Sequence, residues 1–189
     1  YIAQYPLSAA IEGRLFGCHW GTVTTPLATA ATTALVAARP MAWIRVPDGT
    51  MIVPLTCNIV LETSLGSATE IDLRTAQNDI GNGTSSAASV GPQSMRTDAP
   101  IASLCTARQL ATGDTTAETS PLSIYRKTFG PVSDTTTAGG LDRSVAVDRA
   151  MMGYPVLVGP ATLEVFIAAT TTQAIGFVIF TWVEFTERS

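Results

Sequence analysis

The sequence predicts an all-β protein: an antiparallel sandwich of eight or nine strands, a single jelly roll, with an extended N-terminal arm. Three observations carry this. Thr and Ala dominate, at 28 and 26 of 189 residues, and Thr favours strands and turns. Apolar residues alternate with period two in several separate runs, most clearly in "PLTCNIVLE" at 54–62. Clusters of Gly, Pro, Asn and Asp divide the runs, and no stretch promises a helix longer than two turns. Repeats of about 20–50 residues are absent, which excludes a propeller or solenoid.

Residues 1–40 read as the arm, or as weak strands around Thr22–Thr24 and Leu35–Ala37; residues 41–189 read as the sandwich domain. A helix over 27–38 competes because Ala is frequent there, but its Thr cluster weakens it. A strand is expected at 41–46, then a turn at Pro47-Asp48-Gly49-Thr50, where Pro presets φ and Asp and Gly tolerate a tight backbone. The strand at 51–63 bends at Pro54, with Leu55, Cys57, Ile59 and Leu61 on one face and Thr56, Asn58, Val60 and Glu62 on the other. In the strand at 68–76, Ile71, Leu73 and Thr75 alternate with Asp72, Arg74 and Ala76. A long loop punctuated by Gly81, Gly83, Gly91 and Pro92 precedes strands at 101–109 and 121–129, with a loop at 112–120 between them. Short strands follow at 144–148 and 155–158.

From Ala161 to Val183 the only charge is Glu164, so a membrane-spanning helix has to be weighed. Thr170, Thr171, Thr172 and Gln173 fall near the middle, where lipid tolerates them least, and Val, Ile, Phe and Thr are strand formers. The segment reads instead as a β-hairpin, with strands at 162–168 and 175–185. In the second, Ile175, Phe177, Ile179, Val183 and Phe185 share one face and Val178, Phe180 and Trp182 the other, so both faces need cover.

The chain is 46% hydrophobic and only 14% charged, against roughly 25% charged in an average domain, which predicts that much of its surface is covered. Ten Arg and Lys127 stand against 15 acids, for a net charge of −4. No basic run occurs, so there is no strong nucleic-acid signature. The first residue is Tyr, so an initiator or leader is expected to precede it, and the opening 20 residues lack the pattern of a signal peptide.

No catalytic, cofactor-binding or metal-binding residue is assigned, and the protein is not expected to be an enzyme. His19 is the only His, and its neighbour Cys18 points to the opposite side of a strand. Cys18, Cys57 and Cys105 have neither metal-site nor disulfide spacing and read as small buried apolar residues. No G-x-S-x-G elbow is present. Glu62, Glu70 and Asp72 are the candidates for a carboxylate pair, with exposed strand charges as the simpler reading. The Gly-bearing stretches "DIGNGTSS" and "TAGGLDRS" do not join a strand to a helix as a phosphate cradle does. Asp134, Asp142 and Asp148 are candidates for calcium at a subunit contact, though no EF-hand pattern surrounds them. Asn82-Gly83-Thr84 matches the glycan acceptor pattern and reads as chance.

The runs "RVPDGTMIVPLTCNIVLET", "MRTDAPIASLCTA" and "GPATLEVFIAATTTQAIGFVIFTWVEF" resemble single jelly-roll coat proteins of icosahedral viruses, a likeness of layout over roughly residues 40–185. The closing Trp182-Val183-Glu184-Phe185 is similar to the last strand of several such proteins, whereas the basic N-terminal arm of many small RNA-virus coats has no counterpart here. The resemblance implies a virion structural protein that packs against copies of itself and other virion proteins, through sandwich edges and loops, in a capsid shell or capsomer. Tyr1, Tyr5, Leu15, Phe16 and Trp20 would then be contacts of the arm, or would cap the chain's own core. The alternative is a carbohydrate- or receptor-binding sandwich, a fibre or decoration protein, marked by exposed aromatics beside polar groups on one rim. A cupin-like enzyme would need several His ligands.

Overall fold

The computed structural model describes residues 5–22, 24–28, 35–36, 38–61, 68–81, 85–110, 115–129, 144–153, 155–169 and 175–186. Among these residues one short helix, α1 (Tyr5–Ile11), is followed by thirteen strands: β1 (Leu15–Trp20), β2 (Leu27–Ala28), β3 (Ala42–Val46), β4 (Thr50–Leu61), β5 (Thr69–Ala76), β6 (Ser85–Ala87), β7 (Val90–Ser94), β8 (Thr106–Leu110), β9 (Leu122–Phe129), β10 (Ser144–Asp148), β11 (Leu157–Val158), β12 (Ala161–Ala169) and β13 (Ile175–Thr186). They form two antiparallel sheets packed as a sandwich. The seven-stranded sheet runs β10-β4-β13-β1-β7, with β11 beside β4 and β2 beside β13; the six-stranded sheet runs β6-β8-β3-β12-β5-β9.

Eight of these strands nest. The first pairs with the last, β1 with β13; β3 pairs with β12; β4 with β10; and β5 with β9. The segment between β5 and β9 adds β7 to one sheet and β6 and β8 to the other.

The core lies between the sheets and is built by period-two alternation. Phe16, Cys18 and Trp20 of β1, Cys57, Ile59 and Leu61 of β4, Ile71 and Leu73 of β5, Leu163, Val165 and Ile167 of β12, and Val178, Phe180 and Trp182 of β13 all face inward and are buried. Trp20 meets Phe180 edge to face at 5.7 Å and 83°, and Phe16 stacks on Trp182 at 6.1 Å. Burial of each such side chain contributes about 1.5–3 kcal/mol. Trp20 Nε1 donates to the Arg108 carbonyl at 2.8 Å, which ties β1 to β8 in the facing sheet and satisfies a buried donor.

The turn signal at Pro47-Asp48-Gly49 holds, with Gly49 at φ 72°. It carries the chain from one sheet to the other rather than closing a hairpin, because β3 and β4 belong to different sheets. Gly159 packs against this corner: a Cβ there would lie 1.9 Å from the Pro47 carbonyl oxygen, so only glycine fits.

Several expectations need correction. The 162–168 and 175–185 strands form, but not as a hairpin: β12 is an interior strand of the six-stranded sheet, between β3 and β5, whereas β13 is interior to the other, between β4 and β1. β13 is apolar over most of both faces and β12 is buried on both, and an interior position in a separate sheet buries more of each than mutual pairing at an edge would. The N-terminal segment is not an extended arm over residues 1–40, since Leu15–Trp20 is the core strand β1. Leu27–Ala28 is strand, not the start of a helix. Strands β6 and β7 lie in the stretch expected to be loop, and the strand expected at 101–109 starts only at Thr106. The count of eight or nine strands is therefore exceeded by β1, β2, β6 and β7. Among the described residues no helix is long and apolar enough to cross a membrane.

Candidate functional site

The outer face of the seven-stranded sheet is built from residues that alternate with the core. Pairing registers place them in rows across the strands. Ala146, Asn58, Ile179, His19 and Val90 make one row. Ser144, Val60 and Phe177 make the row above it. Asp148, Thr56, Thr181, Gly17 and Gln93 make the row below. Asp148, at the margin, is the only Asp, Glu, Lys or Arg in the three rows. Ile179 is 41% exposed, Val60 38% and Met95, just beyond β7, 47%. Thr56 and Thr181 satisfy each other across strands, hydroxyl to hydroxyl at 2.7 Å. The face thus combines few charges with uncharged polar groups and a few exposed aliphatic side chains, a composition compatible with a contact surface.

Beside this face a cavity of about 400 Å³ opens between Pro6 of α1, Leu15, Leu55, Met95 and Thr181, with the charged Asp148 and Arg149 also lining it. Gly17 makes room for the Met95 side chain: a Cβ at Gly17 would meet Met95 Cε at 2.9 Å. A second cavity, of about 540 Å³, lies at the end of the sandwich between Leu122, Val156, Val158 and Pro160. Among the described residues the strongly exposed large apolar side chains are aliphatic or Met, and none is aromatic. The rim of exposed rings that a sugar-binding site uses is thus not found among them.

His19 sits half-buried in the uncharged face, whereas Cys18 points into the core, as alternation requires. All three Cys are free and buried, and burial raises their thiols above the usual range. Phe16 and Trp20 belong to the chain's own core rather than to an arm on a neighbour, Leu15 lines the first cavity, and Tyr1 falls outside the described residues. Among the described residues no three His, Cys, Asp or Glu side chains come together to hold a metal ion. Asp134, Asp142, Glu62 and Asn82-Gly83-Thr84 lie outside the described residues. Asp148 caps a turn, its Oδ1 accepting from Met151 N at 2.8 Å. Glu70 pairs with Arg126 on the edge strand β9.

Sequence reading missed a buried polar cluster on the outer face of the other sheet. Asp72 and Arg74 of β5, Glu164 of β12 and Trp43 of β3 project there, and Glu164 lies opposite both Arg74 and Trp43 in register. Residues 77–81 and a strap at 115–120 cross this face. They are laced together by Thr116 N to Ile80 O at 2.9 Å, Gln77 N to Thr119 O at 2.9 Å and Thr119 N to Asn78 Oδ1 at 2.6 Å. Thr115 N bonds Ala38 O at 2.8 Å, and the Thr162 hydroxyl donates to Asn78 O at 2.7 Å. Under this cover Trp43, Phe166 and Glu164 are fully buried. Glu118 of the strap reaches into the cluster, where Arg74 holds Asp72 at 2.7 Å and Glu118 at 3.3 Å. Burial, and after it the neighbouring carboxyl of Glu118, push the Glu164 carboxyl from its ordinary 4.5 up to about 10, against the pull of Arg74. The sequence signal was the lone Glu164 in a long apolar run.

On the seven-stranded sheet, Glu184 is also buried, but fully served. It accepts from Ser103 Oγ at 2.7 Å, Leu104 N at 2.8 Å and Trp182 Nε1 at 3.4 Å, which clamps the 101–105 segment to β13.

No protein-family model, curated protein or solved structure matches this chain.

Proposed function

We propose that this chain is a virion structural protein: a single jelly roll that self-assembles through its uncharged sheet face, sandwich edges and loops into a capsid shell or capsomer. The nested pairing of eight strands, first with last and fourth with fifth, is the pattern of a hairpin rolled into a sandwich and supports the jelly-roll reading. The observation that carries the functional reading is the outer face of the seven-stranded sheet. Five strands wide, it offers Ile179, Val60 and Met95 to solvent with charge only at its margin. A copy meeting this face strips water from few ions, Asp148 and Arg149 at its margin, which suits a large, obligate contact. The edge strand β9 carries Arg126 and Lys127, charges that discourage uncontrolled edge-to-edge growth, so association is directed to the face. The same site has no constellation for chemistry among the described residues.

Light scattering and negative-stain micrographs of the purified protein test this reading. Trimers, pentamers or closed particles are expected. A monomer that persists at high concentration would overturn it, and binding on a glycan array by that monomer would favour the receptor-binding alternative.

A further inference from the structure

We propose that Glu164 and Glu118 share one proton, and that this carboxyl pair is a latch that holds the 115–120 strap onto the outer face of the six-stranded sheet and releases it when the proton is lost. Three carboxyl groups, Asp72, Glu118 and Glu164, meet one guanidinium, Arg74, beneath the strap. Arg74 Nε donates to Asp72 and Nη1 to Glu118 Oε2. Asp72 is completed by the Ser123 hydroxyl. Glu164 is left with 0% exposure and no donor on either oxygen, and Glu118 Oε1 is buried and equally unserved. An ionised carboxylate in that position costs several kcal/mol, whereas a neutral one is tolerated. One proton on Glu164, donated to Glu118 Oε1, serves two of the three orphaned oxygens and removes the buried charge.

Among the described residues no further charge is free to compensate the pair, and the one unpartnered donor beside it, the buried Trp43 Nε1, is neutral. From β5 come Asp72 and Arg74, already paired. From β3 come Trp43, which carries no charge, and Arg45, which is paired with Asp79. From β9, Arg126 is paired with Glu70. Arg108 of β8 lies beyond Trp43 in the register.

The two carboxyl groups sit on different structural pieces, which is what makes the pair a latch. Glu164 belongs to the interior strand β12, and Glu118 to the strap. The strap ends at Ser120, whose φ of 47° is a left-handed conformation that is strained for a non-glycine residue. Contacts with the sheet must hold it there. Loss of the shared proton sets two facing carboxylates against each other, and lifting the strap is the motion that hydrates both.

The test uses acrylamide quenching of Trp43, read as the difference between wild type and Trp43→Phe, with cleavage of the strap by a protease, from pH 6 to 10.5. Trp43 is sealed while the strap is down. Opening releases one proton, so the opening constant rises about tenfold per pH unit from pH 6 to about 10 and levels off above it. Glu164→Gln, whose amide still donates to Glu118, is expected to keep the strap closed and Trp43 sealed throughout. Identical pH curves for wild type and Glu164→Gln overturn the proposal. An infrared spectrum of wild type at neutral pH gives a readout that needs no variant: the carbonyl stretch of a buried protonated carboxylic acid is expected, and its absence also overturns the latch.

Discussion

The guanidinium of Arg74 lies over the ring of Phe166, 4.6 Å from its centre, at a place where both side chains are roofed by the 115–120 strap. The stack fixes the plane of the guanidinium so that its edge meets Asp72 and Glu118. Arg74→Met keeps the stem on the ring and removes the charge. Two buried carboxylates then have no cation, and the expected loss is about 3–5 kcal/mol. Urea unfolding measures it; a variant whose midpoint equals that of wild type would refute the assignment of Arg74 as the organising charge.

Glu164 makes stability depend on pH with a definite sign. Its carboxyl titrates near 4.5 in an unfolded chain and is pushed up to about 10 in the fold, so the folded state binds more protons between these values. Stability from this group is complete below pH 4.5 and declines as pH rises toward 10, by up to about 1.4 kcal/mol per unit. Glu164→Gln removes the dependence. At pH 7 the variant is expected to be more stable than wild type by about 2–3 kcal/mol, and near pH 4.5 the two should converge. Denaturant midpoints at both pH values decide it: a variant less stable than wild type at pH 7 contradicts the sign.

Why Glu164 escaped notice in the sequence shows where such reading stops. The alternation of Leu163, Val165 and Ile167 was legible and correctly marked the core face of β12. What covers the opposite face was not, because the strap comes from residues 115–120, which carry no periodic pattern. The same limit explains the final segment. Both strands could be read locally, but their partners are set by contacts with β1, β3, β4 and β5, far away in sequence. In β1 the alternation of Phe16, Cys18 and Trp20 with Leu15, Gly17 and His19 was present, but over only six residues at the edge of a low-complexity stretch. The uncharged outer face was legible only as a low total charge; its placement needed the registers of five strands.

Glu184 holds the 101–105 segment to β13 through three donors. Glu184→Ala leaves Leu104 N and the Trp182 indole without their acceptor and is expected to cost about 2–4 kcal/mol. Limited proteolysis adds a local readout. Cleavage between residues 99 and 105 should precede global unfolding in the variant and not in wild type; equal protection would mean that the clamp is not what holds the segment.

Gly176 begins the described pairing of β13 with β4, and a Cβ there would lie 1.9 Å from the Val60 carbonyl oxygen. That atom is backbone inside a ladder, so it has nowhere to move. Gly176→Ala is expected to pry the strands apart and to yield insoluble or strongly destabilised protein. A soluble variant with wild-type thermal stability would show that the approach is not obligatory.

Ile179 and Val60 separate a surface that serves the fold from one that serves assembly. Their side chains point outward and are 41% and 38% exposed, so a charge at either position can stay hydrated in the monomer. Asp at position 179 also faces Asn58 and His19 across the strands, neither of which repels it. Ile179→Asp and Val60→Asp should therefore leave the circular dichroism spectrum and the unfolding midpoint within about 1 kcal/mol of wild type. In an assembled contact the same carboxylate would be buried without a cation, at a cost of several kcal/mol per copy. Each subunit of a closed particle repeats that cost, so the double variant is expected to remain monomeric in light scattering where wild type forms larger species. Conservative Ile179→Leu should assemble as wild type does. If the double Asp variant assembles normally while folding normally, copies do not meet through this face.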